Sequence, residues 1–296
     1  MSTAKIVNVA SVPQRSPFRY PGGKTWLVPF IRKWLRSLSH KPSSFLEPFA
    51  GGGIVSLTVA FENLANQVVM VELDQDIAAV WQTILGGDAK WLGERIVSFD
   101  LTIESAKAEL SGESEEIRDR AFRTILKNRV YHGGIMAHGS SMIRHGENGK
   151  GIKSRWYAST LQRRIEDISE VRQHIEFIEG NGLPVMEQFA KQKSVAVFID
   201  PPYTAAGKKA GSRLYRHSEL DHERLFEIAA SLRGDFLMTY DDADGVKEMA
   251  ARHGFDTELI AMKNTHHAKM TELLIGKDLS WARRSDSKTK QSMLFE

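Results

Sequence analysis

Residues 194–199, Ser-Val-Ala-Val-Phe-Ile, run directly into Asp200-Pro201-Pro202-Tyr203. The hexapeptide is almost wholly apolar, which is typical of a parallel strand buried on both faces. The two prolines that follow have no amide hydrogen and fix the backbone, so they end the strand. This stretch therefore predicts a buried strand that delivers a carboxylate and an aromatic ring to its carboxyl end.

Strand-like and helical segments alternate on both sides of that stretch. The further predicted strands are Ser44–Phe49, Gln67–Leu73, His174–Ile178, Asp235–Tyr240, Phe255–Met262 and Met270–Ile275. The predicted helices are Ile54–Leu64, Asp76–Leu85, Leu220–Leu232 and Gly245–His253, and residues 88–130 look mostly helical. This alternation predicts an α/β fold with a doubly wound, mostly parallel, Rossmann-like sheet. Ligands of such sheets bind at the carboxyl ends of the strands.

The composition limits the chemistry. The 296 residues include no cysteine, which excludes disulfides, Cys-ligated zinc and a thiolate nucleophile of the kind that cytosine C5 methylation uses. We predict no metal site. No apolar run approaches the length of a membrane span, and residues 1–16 look like a flexible leader rather than a secretory signal, so we expect the chain in the cytoplasm.

The positive charge is concentrated in one segment, although the formal net charge is only +3. The span from Arg118 to Arg164 holds eleven Lys or Arg against two acids. Such a segment is a candidate phosphate-binding face, and a solvated helical surface is the alternative. Residues 131–156 are rich in Gly, His and Ser without clear periodicity, which favours a long loop or a small subdomain.

A glycine-rich turn, Glu47-Pro48-Phe49-Ala50-Gly51-Gly52-Gly53, joins the first strand to the first helix. Glycine lets the backbone approach a ligand closely, but the spacing is not that of a dinucleotide fingerprint. Glu72 ends the next strand and can accept hydrogen bonds from both ribose hydroxyls of a nucleoside. The alternatives are an ordinary tight connection and a capping or solvated acid. Asp74 can cap the following helix.

The Asp-Pro-Pro-Tyr sequence at 200–203 suits an exocyclic amine. The Asp200 carboxylate and a backbone carbonyl at Asp200 or Pro201 can accept the two amine hydrogens. Tyr203 can stack on a base that is flipped out of the duplex. A rigid turn after a strand is the alternative.

These elements together resemble the Dam-like (D12 class) adenine-N6 DNA methyltransferases. The resemblance includes a lead-in motif, Phe18-Arg19-Tyr20-Pro21-Gly22-Gly23-Lys24, and covers about residues 17–278. The order of lead-in, glycine turn, acid, basic insert and DPPY is that of the alpha group. The resemblance implies S-adenosylmethionine as cofactor, double-stranded DNA as partner and N6 of a flipped-out adenine as acceptor.

The resemblance also assigns roles by position. The catalytic residues are Asp200, Pro201, Pro202 and Tyr203. The residues expected at the cofactor are Tyr20, Lys24, Pro48, Phe49, Ala50, Gly51, Gly53, Glu72, Leu73, Asn181, Gly182 and Asp200. Two positions depart from the common pattern: Glu72 stands where Asp is also common, and Asn181 where many relatives have Asp. From the charge distribution, and not from the resemblance, the basic residues expected at DNA are Arg129, Arg144, Lys150, Lys153, Arg155, Lys208, Lys209 and Arg213. For the last three, in the polar loop after DPPY, a solvated loop is the alternative.

The predicted organisation is a catalytic domain at 17–87 and 170–278, a DNA-recognition insert at 88–169 and a tail at 279–296. The tail contains Gln291, Leu294 and Phe295 in a Gln-x-x-Leu-Phe pattern, which looks like a sliding-clamp docking motif. A frayed terminus is the alternative. Competing functions are an RNA adenine methyltransferase, a catalytically silent DNA-binding component of a restriction-modification system, and a protein-glutamine methyltransferase. The last typically carries Asn where this chain has Asp200.

Overall fold

The computed structural model describes residues 12–19, 23–134, 141–143, 146, 149–202, 220–263 and 269–283. A seven-stranded sheet forms its centre. The strands are β1 (Ser44–Glu47), β2 (Gln67–Glu72), β3 (Ile175–Glu179), β4 (Val195–Ile199), β5 (Asp235–Asp241), β6 (Asp256–Lys263) and β7 (Lys269–Gly276). All five residues of β4 are buried, as expected for a strand covered on both faces.

The strand order is β3-β2-β1-β4-β5-β7-β6. The pairs among β1 to β5 are parallel, whereas β7 runs antiparallel to both β5 and β6. Phe45 of β1 faces Val68 of β2 on one side and Ala196 of β4 on the other. The chain reverses its direction of winding between β1 and β4, and ligands of doubly wound sheets bind at such a point. The carboxyl ends of β1, β2 and β4 meet there.

Helices cover both faces of the sheet. They are α1 (Val28–Ser37), α2 (Ile54–Phe61), α3 (Gln75–Thr83), α4 (Ala89–Ser98), α5 (Ile103–Ser111), α6 (Ile117–Val130), α7 (Ala158–Glu170), α8 (Gly182–Phe189), α9 (His222–Ser231), α10 (Asp244–Arg252) and α11 (Ser280–Arg283). Helices α1 to α7 contribute to one apolar core, and α8, α9 and α10 contribute to the core of the opposite face. The predicted doubly wound, mostly parallel α/β fold is confirmed.

Local signals explain where several helices begin. The Asp74 carboxylate accepts hydrogen bonds from the backbone of Asp76 and Ile77, so the predicted cap of α3 is confirmed. The Asp221 carboxylate caps α9 in the same way, through the backbone N–H of Arg224. Several predicted elements were too long. For example, β1 ends at Glu47 rather than Phe49, and α2 ends at Phe61 rather than Leu64.

The helices of the basic region pack on the rest of the molecule. Helix α6 packs along α3, and α4 packs along α7. Residues such as Phe122, Ile125 and Leu161 join the same apolar core as α1 to α3. Between α6 and α7, the described residues form two short 3-10 helices, His132–Gly134 and Gly151–Arg155. Within the described part of the chain, no helix is long and apolar enough to cross a membrane.

Candidate active site

The glycine turn after β1 has a conformation that only glycine adopts without strain. Gly53 precedes α2 with a left-handed backbone at φ +64°. A Cβ atom there would lie 2.7 Å from Met70 Cε and 2.8 Å from Trp81 Cζ2. The turn is further held by Trp81, whose indole N–H donates to the Gly51 carbonyl at 3.0 Å. The glycines therefore allow the turn to adopt a fixed conformation close to the carboxyl ends of the strands.

Glu47 takes over the capping of α2, because Gly53 has no side chain to do so. Its Oε2 accepts hydrogen bonds from the Ser56 N–H at 2.9 Å and from the Ser56 hydroxyl. Burial raises the pKa of Glu47 to about 8, although the Ser56 hydrogen bonds oppose the rise; Asp200 and Glu72 add to it through repulsion. A buried acid therefore lies between the two carboxylates predicted for the site.

Glu72 is held entirely by local backbone. Its two carboxylate oxygens accept from the Gly51 N–H and the Asp74 N–H, both at 2.8 Å. Burial raises the pKa of Glu72 to about 7, and these two hydrogen bonds oppose that rise. Leu73 beside it is 44% exposed. A carboxylate next to an open apolar surface suits the ribose and base of a nucleoside.

Asp200 follows β4 and is held by side chains from distant parts of the chain. Its Oδ1 accepts from the Thr239 hydroxyl of β5 at 2.8 Å and lies 3.2 Å from Lys24 Nζ. The predicted residues Lys24 and Asp200 are thus direct partners. Pro201 after it is buried and Pro202 is half-buried. The carboxylate is therefore fixed at the strand end without a neighbouring amide hydrogen from either proline.

Lys24 is only 5% exposed and has a second partner, Glu272 of β7. Burial alone would lower the pKa of Lys24, but attraction to Asp200 and Glu272 outweighs burial and raises it. The ammonium group is therefore charged and bridges two carboxylates.

Residues 12–19, called the strap here, cross the glycine turn. The Ser16 hydroxyl donates to the Gly52 carbonyl at 2.5 Å. Asn128 of α6 holds the far end, since its amide accepts from the Arg19 N–H and donates to the Arg19 carbonyl, both at 2.9 Å. Arg129 donates to the Pro17 carbonyl, and Arg164 of α7 donates to that of Ser16. The strap thus connects the helices of the basic region to the glycine turn.

Asn181 and Gly182 lie at the start of α8, next to the glycine turn. A Cβ atom on Gly182 would lie 2.2 Å from the Pro48 carbonyl oxygen, so only glycine fits there. The Asn181 side chain is exposed, and its Oδ1 accepts from the Leu183 N–H at 3.0 Å. Asn181 therefore caps α8. The other predicted cofactor residues of the turn, Pro48, Ala50, Gly51 and Gly53, are buried, and Phe49 is half-buried.

The basic residues expected at DNA differ in exposure. Lys150 and Lys153 are exposed, and Arg155 is half-buried. Arg129 is only 4% exposed, because it lies on the inward side of α6. Burial, and then repulsion from Arg164 and Arg19, lower the pKa of Arg129 to about 9. Arg129 does not belong to an exposed basic face, and its described contact is with the strap.

Several predicted residues lie outside the described part of the chain. They are Tyr20, Arg144, Tyr203, Lys208, Lys209, Arg213, Gln291, Leu294 and Phe295. Within the described ranges, no group of three or more His, Asp or Glu side chains is arranged to hold a metal ion.

Sequence reasoning missed three residues of this site: Glu47, Thr239 and Glu272. Glu47 was part of the quoted glycine-turn motif, but nothing in the sequence showed that its side chain points into the protein. Glu272 had one signal, a lone acid inside the apolar strand pattern of residues 270–275. Its partner Lys24 lies 248 residues away, so only the sheet order reveals the contact.

Comparison of the whole fold with solved structures gives distant matches. An rRNA methyltransferase from Streptomyces viridochromogenes is 13% identical with a TM-score of 0.41, covering 87% of this chain and 86% of the other. Precorrin-6y C5,15-methyltransferase from Geobacter metallireducens GS-15 is 11% identical, with a TM-score of 0.34 and coverage of 83% and 84%. Spermidine synthase from Thermotoga maritima is 11% identical, with a TM-score of 0.37 and coverage of 93% and 60%.

A comparison with curated protein sequences gave no significant match. A family model, however, matches residues 20–266, which is most of the chain and includes residues 20–24 of the lead-in motif, the glycine turn, Glu72 and Asp200. The expected resemblance is thereby confirmed: the chain is a methyltransferase and belongs to the family of D12 class N6 adenine-specific DNA methyltransferases.

Proposed function

We propose that this protein transfers a methyl group from S-adenosylmethionine to N6 of an adenine that is flipped out of double-stranded DNA. The observation that carries the proposal is the placement of Asp200. Its carboxylate stands at the end of β4, is anchored by Thr239 and Lys24, and is followed by two prolines. An anchored acceptor without adjacent amide donors suits an exocyclic amine, which has two hydrogens to donate.

The residues of this chain contribute by positioning and electrostatics. Asp200 and the backbone carbonyl of Asp200 or Pro201 accept the two hydrogens of the amine. This holds the nitrogen in place and favours a tetrahedral geometry in which its lone pair is available. Tyr203 stacks on the adenine ring in this proposal, a role that rests on the sequence alone. No strong base is needed before attack, since the proton can leave after the nitrogen has been methylated.

The cofactor proposal rests on Glu72 and its surroundings. Both oxygens of Glu72 keep further lone pairs after accepting the Gly51 and Asp74 amide hydrogens, so they can also accept ribose hydroxyls. The exposed Leu73 offers an apolar surface for the base, and the glycine turn lets the backbone approach the ligand. When bound, S-adenosylmethionine supplies the electrophilic sulfonium methyl group.

For DNA binding we propose residues 88–169 as the recognition insert, with Lys150, Lys153 and Arg155 contacting phosphates. All three retain at least partial exposure, and Arg144, Lys208, Lys209 and Arg213 remain in the proposal on sequence grounds. Neutralising phosphates releases counterions, so the affinity for DNA should fall steeply as the salt concentration rises.

The experiment that tests the function is tritium transfer from labelled S-adenosylmethionine to unmethylated duplex DNA, followed by separation of the product nucleosides. Label in N6-methyladenine is the expected result. Label in RNA or protein instead would keep the cofactor and overturn the proposed acceptor. A folded protein that binds the cofactor and labels nothing would point to the silent DNA-binding alternative.

We further propose that Gln291, Leu294 and Phe295 dock on a bacterial or phage sliding clamp. Retention of the protein on immobilised clamp should be lost when residues 291–296 are deleted, while methylation of short duplexes is unchanged. Equal retention of the deletion variant would rule this partner out.

A further inference from the structure

A carboxylate that belongs to no motif lies at the inner edge of the site. Glu272 is on β7, the strand between β5 and β6, and is 3% exposed. Burying a charged carboxylate is costly unless a partner compensates it. The position therefore calls for a reason beyond packing, since an apolar residue would fill a strand interior at lower cost.

The partner of Glu272 is Lys24, which also contacts Asp200. Thr239 and Lys24 both contact the same oxygen of Asp200, Oδ1. Glu272 of β7 pairs with Asp241 of β5, so their side chains lie on the same face of the sheet. Thr239 is two residues before Asp241 on the same strand, so its side chain lies on that face as well. Two carboxylates from sequence-distant segments thus meet at one ammonium group, and Thr239 from a third segment supports one of them.

Two carboxylates restrict the orientation of the Lys24 ammonium more than one carboxylate would. With Asp200 alone, the flexible lysine side chain could follow the carboxylate or turn away from it. A second buried carboxylate in contact with the ammonium restricts the positions from which Lys24 can reach Asp200. It also keeps the lysine charged despite its burial.

We propose that Glu272 is a positioning residue: it fixes the Lys24 ammonium so that Lys24 and Thr239 hold the Asp200 carboxylate in the orientation that accepts the hydrogens of the target amine. This role rests on the proposed function for its chemical purpose. The ion-pair chain itself can be tested without any methyl acceptor.

The first test is a double-mutant cycle with Glu272→Gln, Lys24→Met and the combination, measured as kcat and KM on duplex DNA. We expect Glu272→Gln to lower kcat by up to about 100-fold with little change in KM, as for a misplaced reacting group. In the Lys24→Met background, Glu272→Gln should cause no further loss, because its effect runs through Lys24. Effects that multiply independently would overturn the proposal.

A matched control is Glu258→Gln, which removes the same charge from the neighbouring strand β6. Glu258 pairs with Arg283 and has no described contact with Lys24. It should leave kcat unchanged. If Glu272→Gln does not fold, Glu272→Asp keeps the charge but shortens the reach; a kcat equal to wild type in that variant would overturn the proposal.

The second test follows the lysine directly, by NMR of the ¹³Cε signal of Lys24, assigned through its loss in Lys24→Met. Glu272→Gln should move the titration of this signal to lower pH, and Glu258→Gln should not. The other charged groups around the network, Asp200, Asp241 and Glu47, remain in both variants. An unmoved titration would overturn the proposal, even if the wild type methylates adenine. If the Lys24 titration shifts in Glu272→Gln but the wild type methylates nothing, the proposed function is wrong and the role of Glu272 in holding Lys24 stands.

Discussion

The two carboxylates to which we assign functional roles, Glu72 and Asp200, are held in different ways. Glu72 is fixed by backbone N–H groups of Gly51 and Asp74, which lie in the adjoining turn and two residues further along the chain. Asp200 is fixed by the side chains of Thr239 and Lys24, which come from distant segments. The proposed cofactor half of the site is therefore built from local motif geometry, whereas the proposed acceptor half depends on the assembly of the whole sheet.

The largest effect is expected for Asp200→Ala. Turnover should fall by about 1,000-fold or more, since an anchored charged group at the reacting atoms is removed. The fold should survive, because Lys24 keeps Glu272 as a partner. Methyl transfer and thermal unfolding, measured on the same sample, check the loss of turnover and the retained fold respectively. Turnover near that of the wild type would remove Asp200 from the reaction.

Glu72→Gln should weaken cofactor binding without affecting the acceptor half of the site. We expect the dissociation constant for S-adenosylmethionine to rise by about 10- to 100-fold, which corresponds to about 1.4–2.8 kcal/mol and fits hydrogen bonds to a charged group. At saturating cofactor, kcat should stay close to that of the wild type. Titration calorimetry and steady-state kinetics give the two numbers. A fall in kcat with unchanged affinity would contradict the division described above.

The pH dependence of cofactor affinity sharpens the comparison further. The pKa of Glu72 is raised to about 7, so the carboxylate is ionised above that pH and protonated below it. Since the ionised form is the better acceptor of ribose hydroxyls, affinity should fall as the pH drops below 7, by up to about tenfold per unit. It should level off above pH 8. In Glu72→Gln this dependence should disappear; its persistence would assign the titration to another group.

Glu47 lies between the two halves, and its substitution should affect stability rather than turnover. Its pKa is about 8 in the folded protein against an ordinary value of 4.5. The folded state therefore holds the proton more tightly. The contribution of Glu47 to the free energy of unfolding should decrease as the pH rises from about 4.5 to 8, by at most about 1.4 kcal/mol per unit, in addition to the contribution of Glu72. Glu47→Gln should flatten this slope while keeping an acceptor for Ser56. Urea unfolding across that pH range is the measurement, and an unchanged slope in the variant would contradict it.

The same division explains what the sequence could predict. The parallel strands, the glycine turn, Glu72 and the cap at Asp74 follow from contiguous patterns, and the structure has them at nearly the expected bounds. Asp200 was predicted from its two prolines and the apolar strand before it. The contacts of Thr239 with Asp200 and of Glu272 with Lys24 could not be predicted, because they depend on the strand order β4-β5-β7, which no single segment of the sequence specifies. Arg129 was expected at DNA because of its charge, but the packing of α6 buries this side chain and directs it towards the strap.

The strap has a consequence for how the two ligands influence each other. Ser16 joins it to the glycine turn, and Asn128, Arg129 and Arg164 join it to helices of the region proposed to meet DNA. If occupancy of one side shifts this peptide, the two binding equilibria are linked thermodynamically. Linkage is reciprocal: the factor by which DNA changes the dissociation constant of the cofactor equals the factor by which the cofactor changes that of DNA. If these eight residues carry the linkage, a single coupling factor describes both effects and can be measured from either side.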